Sequence, residues 1–258
     1  MSIVEAILLG IVEGLTEFLP ISSTAHLIIA ADMLAIPESA FLGSFIIAIQ
    51  LGAIASIVLL YWRTILWNFE AGKRVAVAFI PTAFVGLVLY KLLKEYLLES
   101  MHLIAWALLL GGIVLIVFER WYAVRPQKEA ASERLSYKQA FLIGCAQSVA
   151  IVPGVSRAGA TILGGLALGI GRKEIVEFSF LLAIPTMLAA TGYDLLKNGA
   201  SFATGEWELL AVGFSTSFIA AYIGVRWLLR YIQTHTFSGF GWYRIFAGAA
   251  LLAFLWFA

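Results

Sequence analysis

The sequence predicts an all-α polytopic membrane protein with six transmembrane helices and two re-entrant helix-loop-helix hairpins, arranged as inverted-topology repeats. Composition is the first reason: 62% of the 258 residues are hydrophobic and 13% are charged, whereas soluble domains carry about 25% charged residues. The other reasons are six long apolar runs and two apolar segments that polar residues interrupt. A water-soluble globule is therefore excluded. Because the net charge of +1 creates no general field for nucleic acid, we expect no nucleic-acid partner.

Each transmembrane helix is predicted from a helix-length apolar run bounded by charged residues, proline or glycine. A helix needs about 20 apolar residues to cross the hydrocarbon layer. The runs that meet this length are residues 40–61, 75–95, 102–121, 174–196, 207–230 and 241–258. Because the runs are distributed along the whole chain, we expect residues 1–258 to form a single integral-membrane domain.

Two further apolar segments, residues 3–34 and 139–171, each contain a polar break near the middle. The first break lies between Glu17 and His26, and the second lies within residues 153–159. A break exposes backbone N–H and C=O groups that lipid cannot satisfy, so at membrane depth it must be buried in protein or line a wet cavity. Both segments are therefore predicted to be re-entrant hairpins.

The two halves of the chain resemble each other at a nearly constant offset. The matching pairs are residues 10–14 with 144–148 and Ser22 with Ser156, both at 134, and residues 45–50 with 180–185 at 135. We expect repeat 1 to cover about 1–121 and repeat 2 about 137–258, joined by a cytoplasmic loop at about 122–138. With three spans between them, the hairpins would enter from opposite faces and their breaks would meet near the midplane.

Basic residues set the predicted orientation, because lysine and arginine accumulate on the cytoplasmic side of membrane proteins. With a loop at 62–74 placed inside, 13 of the 17 Lys and Arg residues lie inside or at inner span ends. These are Arg63, Lys73, Arg74, Arg120, Arg125, Lys128, Arg134, Lys138, Arg172, Lys173, Arg226, Arg230 and Arg244. Lys91, Lys94 and Lys197 lie outside, and Arg157 lies in the second break. Both termini then face outward, and the first hairpin enters from outside.

Polar side chains within the two interrupted segments are the functional candidates, because a bilayer makes such groups costly. Glu13 and Glu17 are four residues apart, so a helix presents both carboxylates on one face just before the first break. The other candidates of that break are Ser22, Ser23, Thr24 and His26. The second break contributes Ser156 and Arg157, and Gly154 beside them allows backbone to approach a ligand closely.

This combination of side chains suits a phosphate-containing substrate. An arginine in a low-dielectric break requires an anion, and its planar guanidinium matches phosphate oxygens. A helix that starts after each break would direct free backbone N–H groups at the same anion. Hydrolysis of a phosphoanhydride requires a nucleophile, proton transfer and charge stabilisation. Serine or water could attack, glutamate and histidine could transfer protons, and arginine could stabilise charge.

Two motifs resemble the signatures of a known family, the undecaprenyl-diphosphate phosphatases of the bacitracin-resistance type. They are residues 13–26 (EGLTEFLPISSTAH) and residues 153–161 (PGVSRAGAT). The resemblance continues through residues 183–186 to residues 243–244 and covers essentially the whole chain. Two positions depart from the family's pattern. Ala25 stands where the family usually has glycine, and Ala158 stands where it often has serine.

The resemblance implies an integral-membrane hydrolase that converts undecaprenyl diphosphate to undecaprenyl phosphate and inorganic phosphate. Such an enzyme lies in the bacterial cell (inner) membrane, recycles the lipid carrier for peptidoglycan and other cell-wall polymers, and confers bacitracin resistance. Its implied partners are the polyprenyl diphosphate lipid and membrane lipid, and its active site is expected to open to the outer side. Whether the chain forms a homodimer is left open.

We expect Arg157 to bind the diphosphate and Glu17 to act as general base or to orient the attacking group. The alternative for Glu17 is a capping carboxylate paired with Arg157. His26 is expected to be an acid or base, against the alternative of a satisfied buried imidazole. Ser23 is the candidate nucleophile, although water activated by Glu17 or His26 would serve equally, and the hydroxyls could instead cap the second half-helix. The expected substrate-binding groups around Arg157 are Ser156, Ser22, Thr24 and Gly154.

A divalent cation is the cofactor that the resemblance implies. Glu13 and Glu17 would hold Mg²⁺ or Ca²⁺, and the ion would bridge the diphosphate. Two carboxylates without further acidic support make a small metal site, so this expectation depends on the resemblance.

Two other classes of membrane protein are alternatives to this hydrolase. A lipid-phosphate or anion transporter could use the same inverted repeats, and it would need Arg157 equally. Such a carrier has less use for a serine, two glutamates and a histidine gathered at one break. The other lipid-phosphatase superfamily uses separated PSGH and SR-x5-H-x3-D signatures. His235 is the only histidine that follows Arg157, so that catalytic set is missing.

Overall fold

The computed structural model of the chain describes residues 1–96, 100–124, 135–198 and 202–257. These residues form ten α-helices and one short 3₁₀ turn, and there is no strand among them. The helices are α1 (Ile3–Thr16), α2 (Ser23–Met33), α3 (Ala40–Trp67), α4 (Phe69–Tyr96), α5 (Met101–Ala123), α6 (Tyr137–Ser148), α7 (Arg157–Ala167), α8 (Arg172–Asn198), α9 (Thr204–Tyr231) and α10 (Ser238–Phe257). The predicted all-α class is confirmed.

Six of the described helices are long and apolar enough to cross a membrane, which confirms the predicted number of spans. They are α3, α4, α5, α8, α9 and α10. The four remaining helices have 11 to 14 residues, which is too short to cross the hydrocarbon layer. These four belong to the two interrupted segments.

The predicted inner loop at 62–74 is wrong. α3 continues to Trp67 and α4 begins at Phe69, so that Asn68 alone separates them. Asn68 Oδ1 accepts a hydrogen bond from the backbone N–H of Ala71 (3.0 Å) and so begins the new helix. The apolar run ends where Tyr61 kinks α3 with non-helical angles (φ −116°, ψ 18°). Basic side chains in this stretch suggested a loop, but long basic side chains can reach polar surroundings from a helix end.

Both interrupted segments are helix-break-helix units. Residues 17–22 separate α1 from α2, and residues 149–156, which include the 3₁₀ turn Val149–Ile151, separate α6 from α7. Each break contains a residue with positive φ, Ser22 (72°) or Gly154 (88°), and a right-handed helix cannot continue through such a residue. Entry of the two units into the membrane from opposite faces stays a prediction.

The two units begin with the same local signal. Ser2 and Glu5 form a capping box at the start of α1, and Ser136 and Gln139 form one at the start of α6. Both pairs of positions differ by 134, the offset already seen in the sequence of these segments. α1 and α6 therefore start at matching positions.

Helices of one half of the chain pack on helices of the other half. α1 packs on α9, the fourth helix of the second half, and α6 packs on α4, the fourth helix of the first half. A Cβ on Gly10 would lie 2.7 Å from the carbonyl oxygen of Gly213, and a Cβ on Gly144 would lie 2.0 Å from that of Ala78. Small residues allow such close crossings. The corresponding helices α3 and α8, and α5 and α10, pack on each other, so the halves interlock.

The breaks lie inside the apolar core that these helices form. Phe18, in the first break, is 1% exposed and packs edge-to-face on Phe180 of α8, with ring centroids 5.3 Å apart. Ile21 of the first break and Ala158 of α7 belong to the same core cluster. Polar groups of both breaks are therefore held in largely apolar surroundings.

Candidate active site

The two breaks meet at the Glu17 carboxylate. Arg157, 140 residues away in sequence, donates from Nη2 to Glu17 Oε1 at 3.0 Å. The Ser23 hydroxyl donates to the other oxygen, Oε2. Glu17 is 5% exposed, so water screens these interactions weakly. A hydroxyl and a guanidinium therefore share one buried carboxylate.

The backbone at Ser22 determines where the hydroxyl groups of the first break lie. Its φ of 72° is rare for a residue other than glycine, and its side chain does not cap α2. The capping alternative is therefore wrong for Ser22. Ser23 becomes the first residue of α2, where backbone N–H groups are free to meet an anion. Thr24 follows and is half-buried.

The second break is built around Ser156, which caps α7. Its Oγ accepts a hydrogen bond from Gly159 N–H (3.0 Å) and donates to the Leu19 carbonyl of the first break (3.4 Å). Arg157 is thereby the first residue of α7, and its Nη1 donates to the Ser179 carbonyl of α8 (2.9 Å). Contacts to α8 and to Glu17 fix the direction of the guanidinium.

Gly154 has a structural explanation that the sequence did not supply. Its φ of 88° favours glycine, and a Cβ there would lie 2.7 Å from the Ala107 side chain and 2.9 Å from the Ile104 carbonyl of α5. The glycine is thus required by backbone conformation and by packing against α5. Its expected contact with substrate stays a prediction.

Glu13 lies one helical turn before Glu17 and is completely buried. The Glu17 N–H donates to the Glu13 carbonyl (2.9 Å), so helical geometry extends to Glu17, the C-cap of α1, and both carboxylates project from one face. Within the described part of the chain, neither carboxylate oxygen of Glu13 has a hydrogen-bond partner. A buried carboxylate without a partner is costly and requires a proton or a cation.

The second half carries a neutral residue at the matching position. Gln147 corresponds to Glu13 at the offset of 134, and its amide contacts three threonines. The hydrogen bonds are to Thr82 (3.0 Å), Thr186 (3.2 Å) and Thr161 (3.1 Å). The Gln147 amide is thus hydrogen-bonded to protein groups on both its nitrogen and its oxygen, whereas the Glu13 carboxylate is not.

Both ring nitrogens of His26 form hydrogen bonds with protein groups. Nδ1 lies 2.7 Å from the Ser22 carbonyl oxygen, and Nε2 lies 2.7 Å from the hydroxyl of Tyr243 in α10. The two rings are nearly parallel, at 13°. His26 therefore lies beside the hydroxyl groups but is not bonded to Glu17 or Ser23.

Arg244 is a buried charge whose position was not predicted from the sequence. It was expected at an inner span end, but it is 3% exposed and bonds to backbone carbonyls of both breaks. The acceptors are Pro20 (3.1 Å), Gly154 (3.0 Å), Ala107 (2.9 Å) and Leu108 (3.4 Å). These carbonyls replace water around the guanidinium. An arginine in an apolar run was the available signal, but its partners are remote in sequence.

Comparison with known proteins settles the family. The family model described as bacitracin resistance protein BacA matches residues 6–250. The chain belongs to the BacA family. The match covers both breaks and the Tyr243-Arg244 pair, and it confirms the resemblance that the two motifs indicated.

Similar curated proteins from several organisms carry the name Undecaprenyl-diphosphatase. The protein of Aquifex aeolicus is 49% identical over 253 residues, which are 98% of each chain. That of Sulfurihydrogenibium sp. is 46% identical over 257 residues, or 100% of both chains. That of Bdellovibrio bacteriovorus is 44% identical over 256 residues, which are 99% of this chain and 97% of the other. Members of the family therefore match this chain along its whole length.

Proposed function

We propose that this chain hydrolyses undecaprenyl diphosphate to undecaprenyl phosphate and inorganic phosphate. The observation that carries the proposal is the Glu17 carboxylate, which joins a hydroxyl from its own break to a guanidinium from the other break. Nucleophile, base and phosphate-binding cation are thus in direct contact. The relatives named Undecaprenyl-diphosphatase support the same substrate. Hydrolysis would return the lipid carrier to peptidoglycan synthesis and support bacitracin resistance.

Glu17 activates the attacking group. The Ser23 hydroxyl donates a hydrogen bond to Glu17 Oε2, which is the arrangement of a general base with its nucleophile. Ser23 attacks the terminal phosphorus, the bond from that phosphorus to the bridging oxygen breaks, and undecaprenyl phosphate leaves. Water then hydrolyses the phosphoserine. Water held by Glu17 could attack directly instead, and substantial hydrolysis by Ser23→Ala would assign the attack to water.

Arg157 binds the diphosphate and stabilises charge on the transferring phosphoryl group. Its side chain is 12% exposed, and its buried Nε has no partner in the described part of the chain. Donors that now face Glu17 and the Ser179 carbonyl would turn in part to phosphate oxygens. Ser22, Thr24 and Ser156, which belong to the two breaks, would complete the binding surface.

The first break has one feature that suits a divalent cation. The unpartnered oxygens of Glu13 are the group that would hold it, together with Glu17. No cluster of three His, Cys, Asp or Glu side chains that could hold a metal occurs among the described residues, so substrate phosphate oxygens would have to complete the coordination. Mg²⁺ or Ca²⁺ would neutralise part of the diphosphate charge.

Hydrolysis is favoured over transport by the hydrogen bond between Ser23 and Glu17, because a carrier has no use for a hydroxyl paired with a base. The deciding experiment uses the chain purified in detergent and then placed in vesicles with undecaprenyl diphosphate. We expect inorganic phosphate to be released in proportion to undecaprenyl phosphate formed. Translocation of intact lipid without phosphate release would contradict the proposal and favour the transporter.

The cellular location follows from the same proposal. Six apolar helices indicate a multi-pass membrane protein, and we place it in the bacterial cell (inner) membrane. The distribution of basic residues supports a site that opens to the outer side, where the first hairpin would enter.

A further inference from the structure

Tyr243 has no role in the mechanism above, yet its hydroxyl lies 2.7 Å from His26 Nε2. It belongs to α10, 217 residues from His26, and is followed directly by Arg244, which bonds to both breaks. Arg244 therefore fixes the part of α10 that presents Tyr243. Tyr243 as a whole residue is 46% exposed, so it does not belong to the buried core.

The hydrogen bonds of His26 determine its tautomer. The Ser22 carbonyl can only accept, so Nδ1 must carry the hydrogen of that 2.7 Å contact. In the neutral ring Nε2 then has a lone pair, and the Tyr243 hydroxyl donates to it. In the protonated ring Nε2–H donates to the Tyr243 oxygen, and the phenolic hydrogen is free to point elsewhere. Protonation of His26 thus reverses the direction of the hydrogen bond.

Both ring nitrogens are occupied, so a proton can leave His26 only through a protein group. The Ser22 carbonyl cannot pass on a proton, whereas a phenol can accept one and give up another. We propose that Tyr243 holds His26 in its Nδ1–H tautomer and relays protons between Nε2 and the reacting phosphate.

The relay starts from the protonated ring of His26, in which Nδ1 and Nε2 both carry a hydrogen. As the bond from the terminal phosphorus to the bridging oxygen breaks, the Tyr243 hydroxyl passes its proton to the departing undecaprenyl phosphate. Nε2–H of His26 gives its own proton to the Tyr243 oxygen at the same time. Tyr243 stays neutral and His26 becomes neutral. The water that later attacks the phosphoserine gives its OH to phosphorus and one proton to His26 through the same hydroxyl, while the proton held by Glu17 returns to Ser23 Oγ. This inference rests on the proposed hydrolase function.

Tyr243→Phe tests the relay because it removes the hydroxyl and keeps the ring. We expect kcat for phosphate release to fall about 10- to 100-fold, within the range of general acid–base effects, with KM changed less than about twofold. In a His26→Asn background the same substitution should have no further effect, because residues that act as one unit are non-additive. A merely structural tyrosine would lower activity by the same factor in both backgrounds.

Tyr231→Phe is the matched control. Tyr231 of α9 stacks on His235 with centroids 4.5 Å apart and planes at 14°, and neither residue belongs to the site. We expect wild-type kcat for this variant. Full activity of Tyr243→Phe, or an equal loss in the His26→Asn background, would overturn the inference alone. If the unmodified chain released no phosphate, the proposed function itself would fail, and the relay with it.

Discussion

Each oxygen of the Glu17 carboxylate has its own partner, Ser23 on one side and Arg157 on the other. Removing one member of a buried ion pair costs about 3–5 kcal/mol, since the remaining charge keeps its desolvation penalty. Conservative substitutions are therefore the informative ones at this site. They alter the chemistry of a group while a polar partner remains.

Arg157→Lys keeps the charge but loses the planar fork that reaches both Glu17 and the Ser179 carbonyl. We expect kcat/KM for phosphate release to fall about 100-fold, the loss typical for removal of one charge-stabilising donor. Arg226→Lys on α9 is the control, because the hydrogen bond and the cation–π contact that Arg226 makes among the described residues are both to Tyr222. Near-normal activity of Arg157→Lys would remove Arg157 from the diphosphate site.

The sequence identified Glu17, Ser23 and Arg157 because each lies in a polar break of an apolar segment. Tyr243 and Arg244 were not recognisable as parts of the site. Tyrosine is common near span ends, and the four carbonyls around Arg244 belong to residues that are 90 to 224 positions away. Backbone acceptors leave no signal in a sequence, so only the fold could reveal this contact.

Among the helices, α10 connects the two breaks, because its Arg244 bonds to Pro20 in one and Gly154 in the other. α5 makes room for this connection at Gly111, where a Cβ would lie 2.1 Å from Arg244 Nη2. The sequence did not reveal this contact between Gly111 and Arg244. The sequence also failed to predict that residues 62–74 are helical except at Asn68, since charge density alone does not end a helix.

Gly111→Ala should displace the Arg244 guanidinium and shift the breaks that it holds. A misplacement of about 1 Å can cost up to about 100-fold in rate, so we expect at least a 10-fold loss of phosphate release and a lower thermal midpoint. Gly86→Ala in α4 is the matched control, because no heavy atom lies within 4 Å of its Cβ position. Equal activity of the two variants would show that Arg244 does not depend on this space.

The whole molecule consists of two interlocked halves whose polar centres differ. Matching capping boxes and matching glycine crossings relate the halves, and the sequence offset already indicated this relation. The sequence could not indicate which helix of one half packs on which helix of the other, because such pairing depends on contacts between residues more than 100 positions apart. Glu13 stands where the other half has the fully bonded Gln147, so the acidic chemistry belongs to the first break alone.

The predicted orientation can be tested by cysteine labelling. Thr24→Cys in a Cys145→Ser background should react with a membrane-impermeant maleimide added outside, because the first hairpin is expected to enter from that face; Cys145 must be removed since it is exposed. Lys138→Cys, at an exposed position before the second hairpin, is the control and should react only from inside. Inverted labelling at both positions would reverse the orientation.

The central claim is that the two breaks form one hydrolytic site around Glu17. Its most direct measurement is the rate of phosphate release from undecaprenyl diphosphate by the purified chain and by Glu17→Gln, with Glu38→Gln at an exposed position as control. The account predicts release by the unmodified chain and by Glu38→Gln, and a rate at least about 1000-fold lower for a folded Glu17→Gln. Comparable rates for Glu17→Gln and the unmodified chain would contradict it.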